Sequence, residues 1–376
     1  MKMEFENIRN KKLEKYLESV SKEIGKREFS FGIYKHNDKK NGKDVYIING
    51  SKESYFAEKQ IQNNIRYTYS VKQSDRDLIV PQLKSVLKDN FSKYIIKVDI
   101  ESFYESIDRS RLIHKLNENP VLSLSTRKLI AKLLRDYGDV SGHSNGIPRG
   151  VGVSAYLSEL YLKEFDRKVK EIDGLIYFSR YVDDIVIVLS PDYDGNINKF
   201  FNKLNAFLLE DGLKLKDEKS ELLDFSKGVR DFSFDYLGYK FKKVGKVFKL
   251  AISDNRSQKY KLRIRSVLDR YNKNRVKQPI KAKKELYMRL GYLTSNTKLS
   301  NNKGNALVGI YHSNKWVDDE SFLRSLDSFL QGNSRSILDA SVRDKISKYS
   351  FERGFKERRY RFYSPNNLRN IVKVWA

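Results

Sequence analysis

One short stretch constrains what this chain can fold into: Tyr181-Val182-Asp183-Asp184, set between two apolar runs. Leu175-Ile176-Tyr177-Phe178 precedes it and Ile185-Val186-Ile187-Val188-Leu189 follows it. Both runs are rich in β-branched and aromatic residues, which suit a pleated, half-buried surface, so they predict two strands joined by a tight connection. Adjacent carboxylates at such a connection repel one another and lose hydration. A divalent cation removes both costs, because Mg²⁺ takes one or two carboxylates and shares its remaining sites with substrate phosphates. Taken alone, the four residues fit a polar hairpin turn equally well.

They do not stand alone. Upstream, Tyr94-Ile95-Ile96-Lys97-Val98-Asp99 is another apolar strand ending in an acid, followed by Ile100-Glu101-Ser102-Phe103-Tyr104. Between the two regions, Gly146-Ile147-Pro148-Arg149-Gly150-Val151-Gly152-Val153-Ser154 reads as a glycine-rich turn entering a helix. Downstream come Lys219 and then Tyr236-Leu237-Gly238-Tyr239. An acid at the end of one strand and two more at a neighbouring hairpin are what two-metal phosphoryl transfer requires. There, cations about 3.5–4 Å apart clamp the attacking and leaving oxygens.

In this order the segments resemble the palm of a reverse transcriptase, over roughly residues 60 to 245. The resemblance implies an α+β fold: a right-hand polymerase with fingers, a palm of antiparallel sheet plus helices, and a helical thumb. It places an N-terminal extension at 1–60, fingers and palm at 61–240, and a basic thumb and C-terminal nucleic-acid-binding region at 241–376. It implies two Mg²⁺ ions, with Mn²⁺ as a substitute. Asp99 and Asp183 would be metal ligands, Asp184 would complete the acid cluster, and the backbone carbonyl of Ile100 would face the second ion. Lys72 and Arg76, with Arg66 as a third candidate, would meet the incoming triphosphate, and Lys219 the leaving pyrophosphate. Tyr104 takes the place of the aromatic gate under the sugar, where a 2′-hydroxyl would clash; packing against Phe103 is its other reading. Arg149 and Gly150 belong to the loop that cradles the template–nucleotide pair. The family usually carries Gln where this chain has Arg149, which substitutes a fixed charge and a planar fork. Tyr236, Leu237 and Gly238 match the hairpin that grips the primer end, where aromatic rings suit stacking on sugar and base. Glu101 and Asp108 read as surface or capping acids.

The rest of the chain is read from periodicity and charge. Residues 1–28 are predicted helical, Phe29–Tyr34 and Val45–Ile48 a strand pair, Ser54–Ile65 a helix, and Val80–Leu87 a helix with Pro81 in its first turn. One helix is expected from Ser154 to Lys170, with Leu157, Leu160, Tyr161, Phe165 and Val169 on its apolar stripe. The net charge is +26, and residues 240–289 hold 18 Lys/Arg against 3 Asp/Glu. So one-sided a sign favours nucleic acid, since each neutralised phosphate releases counterions. Within that segment Tyr260, Ile264, Val267, Leu268 and Tyr271 fall at helical spacing, so one face packs and the other is basic. With no cysteine, disulfides and thiolate metal sites are excluded. The absence of a long apolar stretch and of a signal-peptide pattern predicts a soluble, cytoplasmic protein without a membrane partner.

Arg66 to Arg76, Asp99 to Ile107, Pro148-Arg149-Gly150 and Arg180 to Asp184 are similar to bacterial defence-associated reverse transcriptases. Within these they most resemble the first reverse transcriptase of the type-three defence system. That resemblance implies a structured noncoding RNA as template, a DNA product built from deoxynucleoside triphosphates, and a second reverse transcriptase as companion. Two other functions stay open at this point. The same palm serves untemplated or protein-primed DNA synthesis, with 24 tyrosines as a source of priming hydroxyls. An inactive RNA-binding scaffold is the third, against which three retained and costly acids speak.

Overall fold

A computed structural model describes residues 2–37, 39, 42–71, 73–118, 120–191, 197–216, 218, 220–225, 231–299 and 306–375, with backbone alone for residues 2–12 and Asn198. The chain divides into two compact units: residues 1–79 with 92–227, and residues 80–91 with 228–376.

The first unit begins with α1 (Lys2–Ile24), the short strands β1 (Tyr34–Lys35) and β2 (Tyr46–Ile47), α2 (Lys52–Tyr69) and the start of α3 (Arg76–Lys88). The strand pair expected here shrinks to two residues on each side. Beyond them the two segments meet irregularly, His36 N–H donating to the Val45 carbonyl and Asn49 N–H to that of Gly32, while Phe31 N–H donates to Asp136 and Tyr46 N–H to the carbonyl of Arg149. Helix α2 starts where the Ser51 side chain accepts from the Ser54 N–H. Helix α3 starts earlier than expected because Asp75 caps it through the N–H groups of Asp77, Leu78 and Ile79. Pro81 therefore lies inside the helix and not in its first turn, at the loss of one backbone hydrogen bond.

The palm sheet follows. Its strands are β3 (Tyr94–Asp99), β4 (Leu175–Tyr181), β5 (Asp184–Leu189) and β6 (Glu221–Asp224), in the spatial order β4-β5-β3-β6 with every neighbour antiparallel. Between β3 and β4 run α4 (Phe103–Ser106), α5 (Arg109–Glu118), α6 (Leu124–Ser141), α7 (Ser154–Tyr161) and α8 (Lys163–Lys170); α9 (Ile197–Leu209) follows β5. The helix expected from Ser154 to Lys170 is broken at Leu162, yet its stripe is buried at Leu157, Tyr161, Phe165 and Val169, with Leu160 only partly buried against the same core.

Strand alternation then decides where the acids go. Ile96, Val98 and Ile100 join Ile185, Ile187 and Leu189 in one core with Leu112, Leu157, Phe165, Phe200 and Leu204 of the helices. Asp99 and Asp184 are out of phase with those residues, so both project from the opposite face of the sheet.

The second unit holds the three-stranded antiparallel sheet β7 (Phe232–Tyr236), β8 (Tyr239–Val244) and β9 (Val247–Ile252). Helices α10 (Asp254–Asn274) and α11 (Pro279–Leu293), the strand pair β10 (Asn296–Lys298) and β11 (Leu307–Gly309), and helices α12 (Ser321–Ser334), α13 (Ala340–Ser347), α14 (Phe351–Lys356) and α15 (Pro365–Val372) complete it. Helix α10 buries Tyr260, Ile264, Val267, Leu268 and Tyr271, the five residues its sequence spacing selects. Both units combine helices with antiparallel sheet, the α+β class that the sequence predicts. No described helix is long and apolar enough to cross a membrane.

Candidate active site

Register brings the acids together. Asp99, the last residue of β3, lies directly opposite Asp184, the first residue of β5. Ile100 N–H donates to the carbonyl of Asp183 at 3.1 Å. That bond makes Asp99–Asp184 a non-hydrogen-bonded antiparallel pair, the class with the closer side chains. Asp99 is only 6% exposed. Asp183 sits between the strands in a two-residue turn, because Tyr181 pairs with Asp184. Three carboxylates are thus gathered at one edge of the sheet. In extended backbone a residue's N–H and C=O share an edge, so the Ile100 carbonyl also faces the aspartate turn.

The turn is strained. Val182 has φ of 62°, a region that β-branched residues avoid. Asp183 does not share the positive φ, the sign pattern of a type II′ turn, whose first central position favours glycine. Such strain persists where surroundings over-determine it. Here the determinant is Arg180. Its guanidinium donates to the Val182 carbonyl at 3.1 Å, to both oxygens of Asp166 at 2.8 and 2.7 Å, and to Glu159 at 2.6 Å. The Arg180 side chain is 3% exposed. Burial alone would lower its pKa; the bonds to Asp166 and Glu159 outweigh that and hold it above the ordinary value. Glu159 is pushed up by burial against the pull of Arg180, and it also bonds Ser74, so the segment before α3 is tied to the aspartate turn.

Tyr104 is half-buried. The Arg149 guanidinium lies over its ring at 5.0 Å, and the Phe103 ring is 5.9 Å away. The ring packs beside Phe103, one of its two sequence readings, and lies close enough to Asp183 for that charge to act on it. Burial raises the phenol pKa, a hydrogen bond with Ser158 opposes this, and the Asp183 charge adds to the rise. Arg149 is not free for a ligand in this state, because its fork donates to Glu105 Oε1 at 2.9 and 3.2 Å. Lys43 binds the other Glu105 oxygen at 2.8 Å.

The glycine loop approaches the chain itself closely. A Cβ on Gly150, at φ of +104°, would lie 2.7 Å from the Tyr46 carbonyl and 2.6 Å from Val45 Cγ1. A Cβ on Gly146 would lie 3.2 Å from the backbone of Tyr104 and Glu105. The loop thereby fixes the position of Tyr104.

Residues 39–241 match the family model described as reverse transcriptase (RNA-dependent DNA polymerase). The chain belongs to the reverse transcriptase family. None of the curated proteins matches it in sequence. Among solved structures it is similar to telomerase from Candida albicans with a TWJ fragment of telomeric RNA, at 13% identity and a TM-score of 0.39, over 85% of this chain and 54% of that one. It is also similar to apo telomerase from Candida tropicalis truncated from its C-terminal domain, at 13% identity and 0.39, over 56% and 53%. The chain spans about half the length of each.

Not every expected residue of a reverse transcriptase site falls in this cluster. Lys72 and Lys219 lie outside the described residues. Arg76 is the first residue of α3, and Arg66 donates to Tyr67 at 2.8 Å. In the second unit the hairpin forms as expected, with Tyr236 opposite Tyr239 across the turn Leu237-Gly238. Its rings do not offer the expected stacking surface: Tyr236 and Tyr239 are buried, as are Phe234 and Phe241. The part-exposed turn is presented instead, braced by Arg256, which donates to the Leu237 carbonyl at 3.0 Å. Asp108 is a cap, accepting from Arg111 N–H at 3.0 Å, and Glu101 is exposed.

Arg180 is the functional residue that sequence reasoning leaves without a role. The available signal is an arginine inside an apolar strand, since a charge is not buried there without partners.

Among the described residues no three His, Cys, Asp or Glu side chains form a group that could hold a metal on their own. The donor set still fits Mg²⁺, a hard cation that takes one or two carboxylates and completes its shell with water and substrate phosphates.

Proposed function

We propose that the chain is an RNA-directed DNA polymerase whose chemistry is carried by Asp99, Asp183 and Asp184. The observation that supports this best is the Asp99–Asp184 pairing beside the Asp183 turn, in a chain of the reverse transcriptase family. Asp99 and Asp183, with the Ile100 carbonyl, would hold two Mg²⁺ ions, or Mn²⁺, and Asp184 would complete the negative field. Ions held there would supply activation of the primer 3′-hydroxyl and neutralisation of the triphosphate charge. Tyr104 supports the deoxyribose and leaves no room for a 2′-hydroxyl. Arg149 and Glu105 hold that ring in place. Lys72 and Arg76 meet the triphosphate, and Lys219 meets the pyrophosphate. The Leu237-Gly238 turn, with Tyr236 behind it, positions the primer end.

The biological setting belongs to the same proposal. The template is a dedicated structured noncoding RNA, the companion a second reverse transcriptase, and the role bacterial antiphage defence in the cytoplasm. The phrasing of the palm motifs supports this.

The test is incorporation of labelled deoxynucleotides, with Mg²⁺, by protein purified with its bound nucleic acid. Samples run with and without RNase, beside Asp183→Ala/Asp184→Ala. Synthesis lost to both treatments is the expected result, and sequencing the product identifies the template. RNase-resistant synthesis that still needs the aspartates would establish untemplated or protein-primed addition. Synthesis absent from the wild type, even with a supplied primed RNA template, would overturn the polymerase reading in favour of an RNA-binding scaffold.

A further inference from the structure

The first unit carries a concave site whose lining includes none of the three aspartates. It is a cleft of about 1140 Å³ where the end of α1 and the turn after it meet α5 and α6. Its lining holds six cationic side chains, Lys26, Arg27, Arg109, Lys128, Lys132 and Arg135, and no Asp or Glu among the described residues. Serines and an apolar floor of Ile24, Ile113, Leu129 and Leu134 make up most of the rest.

Two of the six are already committed. Arg109 donates to the carbonyls of Leu134, His143, Asn145 and Gly146, and Lys26 pairs with Glu23 at 2.6 Å. Arg27, Lys128, Lys132 and Arg135 make no ion pair with any described residue. The last three stand at i, i+4 and i+7, on one face of α6. Like charges four residues apart destabilise a helix. The two acids of that helix lie off the cleft lining: Asp136 is turned to Ser30 and the Phe31 N–H, while Asp139, four residues after Arg135, is close enough to Arg109 for its charge to act there.

We infer that this cleft holds the phosphodiester backbone of a nucleic-acid strand outside the catalytic centre. A row of cations in a lining without acids, with Asp139 at one end only, matches a polyanion with evenly spaced charges. Serine hydroxyls suit phosphate and sugar oxygens, and the apolar floor suits sugar carbons. An anionic bilayer is the rival, but a planar surface does not enter a concave site. The inference rests on the polymerase reading: the held strand would be an uncopied part of the template RNA. Arg109 touches both places, because it lines the cleft and binds the carbonyl of Gly146 in the glycine loop.

The test uses the full chain freed of bound nucleic acid. Affinity for labelled oligouridylate, for oligothymidylate of equal length, and for phosphatidylcholine vesicles containing phosphatidylserine is measured across salt concentrations. In Lys128→Gln/Lys132→Gln/Arg135→Gln the slope of log affinity against log salt should become shallower by about 2, at about 0.7 per single-strand phosphate contact. The charge-keeping Lys128→Arg/Lys132→Arg/Arg135→Lys should retain the wild-type slope. Synthesis on a saturating primed template should be unchanged in both. Equal slope losses with RNA and DNA would mean that the backbone alone is read; loss with RNA only would add 2′-hydroxyl contacts. A wild-type slope in the neutral variant overturns the inference, as does an equal loss in the charge-keeping one. Loss of vesicle binding with an intact RNA slope would reassign the cleft to membrane. Failure of the polymerase reading shows separately, as absent incorporation by the wild type.

Discussion

Replacing Arg180 with methionine removes a guanidinium that makes four hydrogen bonds, to two Asp166 oxygens, to Glu159 and to the Val182 carbonyl. Methionine fills much of the same space, so the loss is electrostatic. Asp166 and Glu159 stay behind at 21% and 12% exposure with no cation. Removing one partner of a buried ion pair costs about 3–5 kcal/mol, mostly because the other charge is left uncompensated. For a unit of about 200 residues this lowers the melting temperature by roughly 6–20 °C, at ~2–4 °C per kcal/mol. The turn loses its brace in the same step. Val182 is then free to leave its φ of 62°, and Asp183 and Asp184 move with it. A displacement near 1 Å at reacting groups costs about 100-fold in rate, so kcat should fall about that much with little change in primer–template KM. The assay is paired thermal melts and steady-state incorporation, on wild type, Arg180→Met, and Arg180→Met/Glu159→Gln/Asp166→Asn. The triple variant should regain much of the stability, since no uncompensated charge remains, and none of the rate. If it melts no higher than Arg180→Met, uncompensated charge is not the cause. A wild-type rate in Arg180→Met would refute the bracing role.

Three further outcomes are expected. Asp184→Asn should abolish incorporation yet raise the melting temperature in metal-free buffer, because like charges directly opposite across a strand pair cost up to about 1 kcal/mol. Arg149→Gln should leave stability within about 1 kcal/mol, since its pair with Glu105 is part-exposed, but should weaken discrimination against ribonucleotides by freeing the Tyr104 ring; single-nucleotide incorporation ratios beside Tyr104→Ala check this. Gly150→Ala should cost well over 1 kcal/mol, since φ is +104° and the new Cβ meets the Tyr46 carbonyl; urea unfolding measures it.

Much of the catalytic sheet was legible in the residues themselves. Apolar runs flanked by acids, Asp99 at the end of one and Asp184 at the start of the next, encode the strands; which face the acids take was not legible, because Ile185 to Leu189 is apolar at every position and only packing shows which side the helices cover. The stripe of α10 was legible, because burial imposes the period of the element. Arg180 was not legible: its partners lie 14 and 21 residues away, on α8 and α7, and only the packed sheet brings them within hydrogen-bond reach. The break of the long helix at Leu162 and the inward turn of Tyr236 likewise depend on neighbours that no local pattern names.

The sequence by itself determined the chemistry available: three carboxylates at strand ends, a glycine loop, an aromatic beside it and a strongly basic second half. Those follow from residue type and short-range periodicity, which act within a few residues. Only the tertiary structure decided which groups meet. Antiparallel register sets Asp99 against Asp184, a buried arginine holds Val182 in a conformation it would otherwise avoid, and Arg149 turns from solvent onto Tyr104. Register and buried charge pairing are long-range: their energies depend on what the fold removes from water, and a linear string of residues does not carry that information.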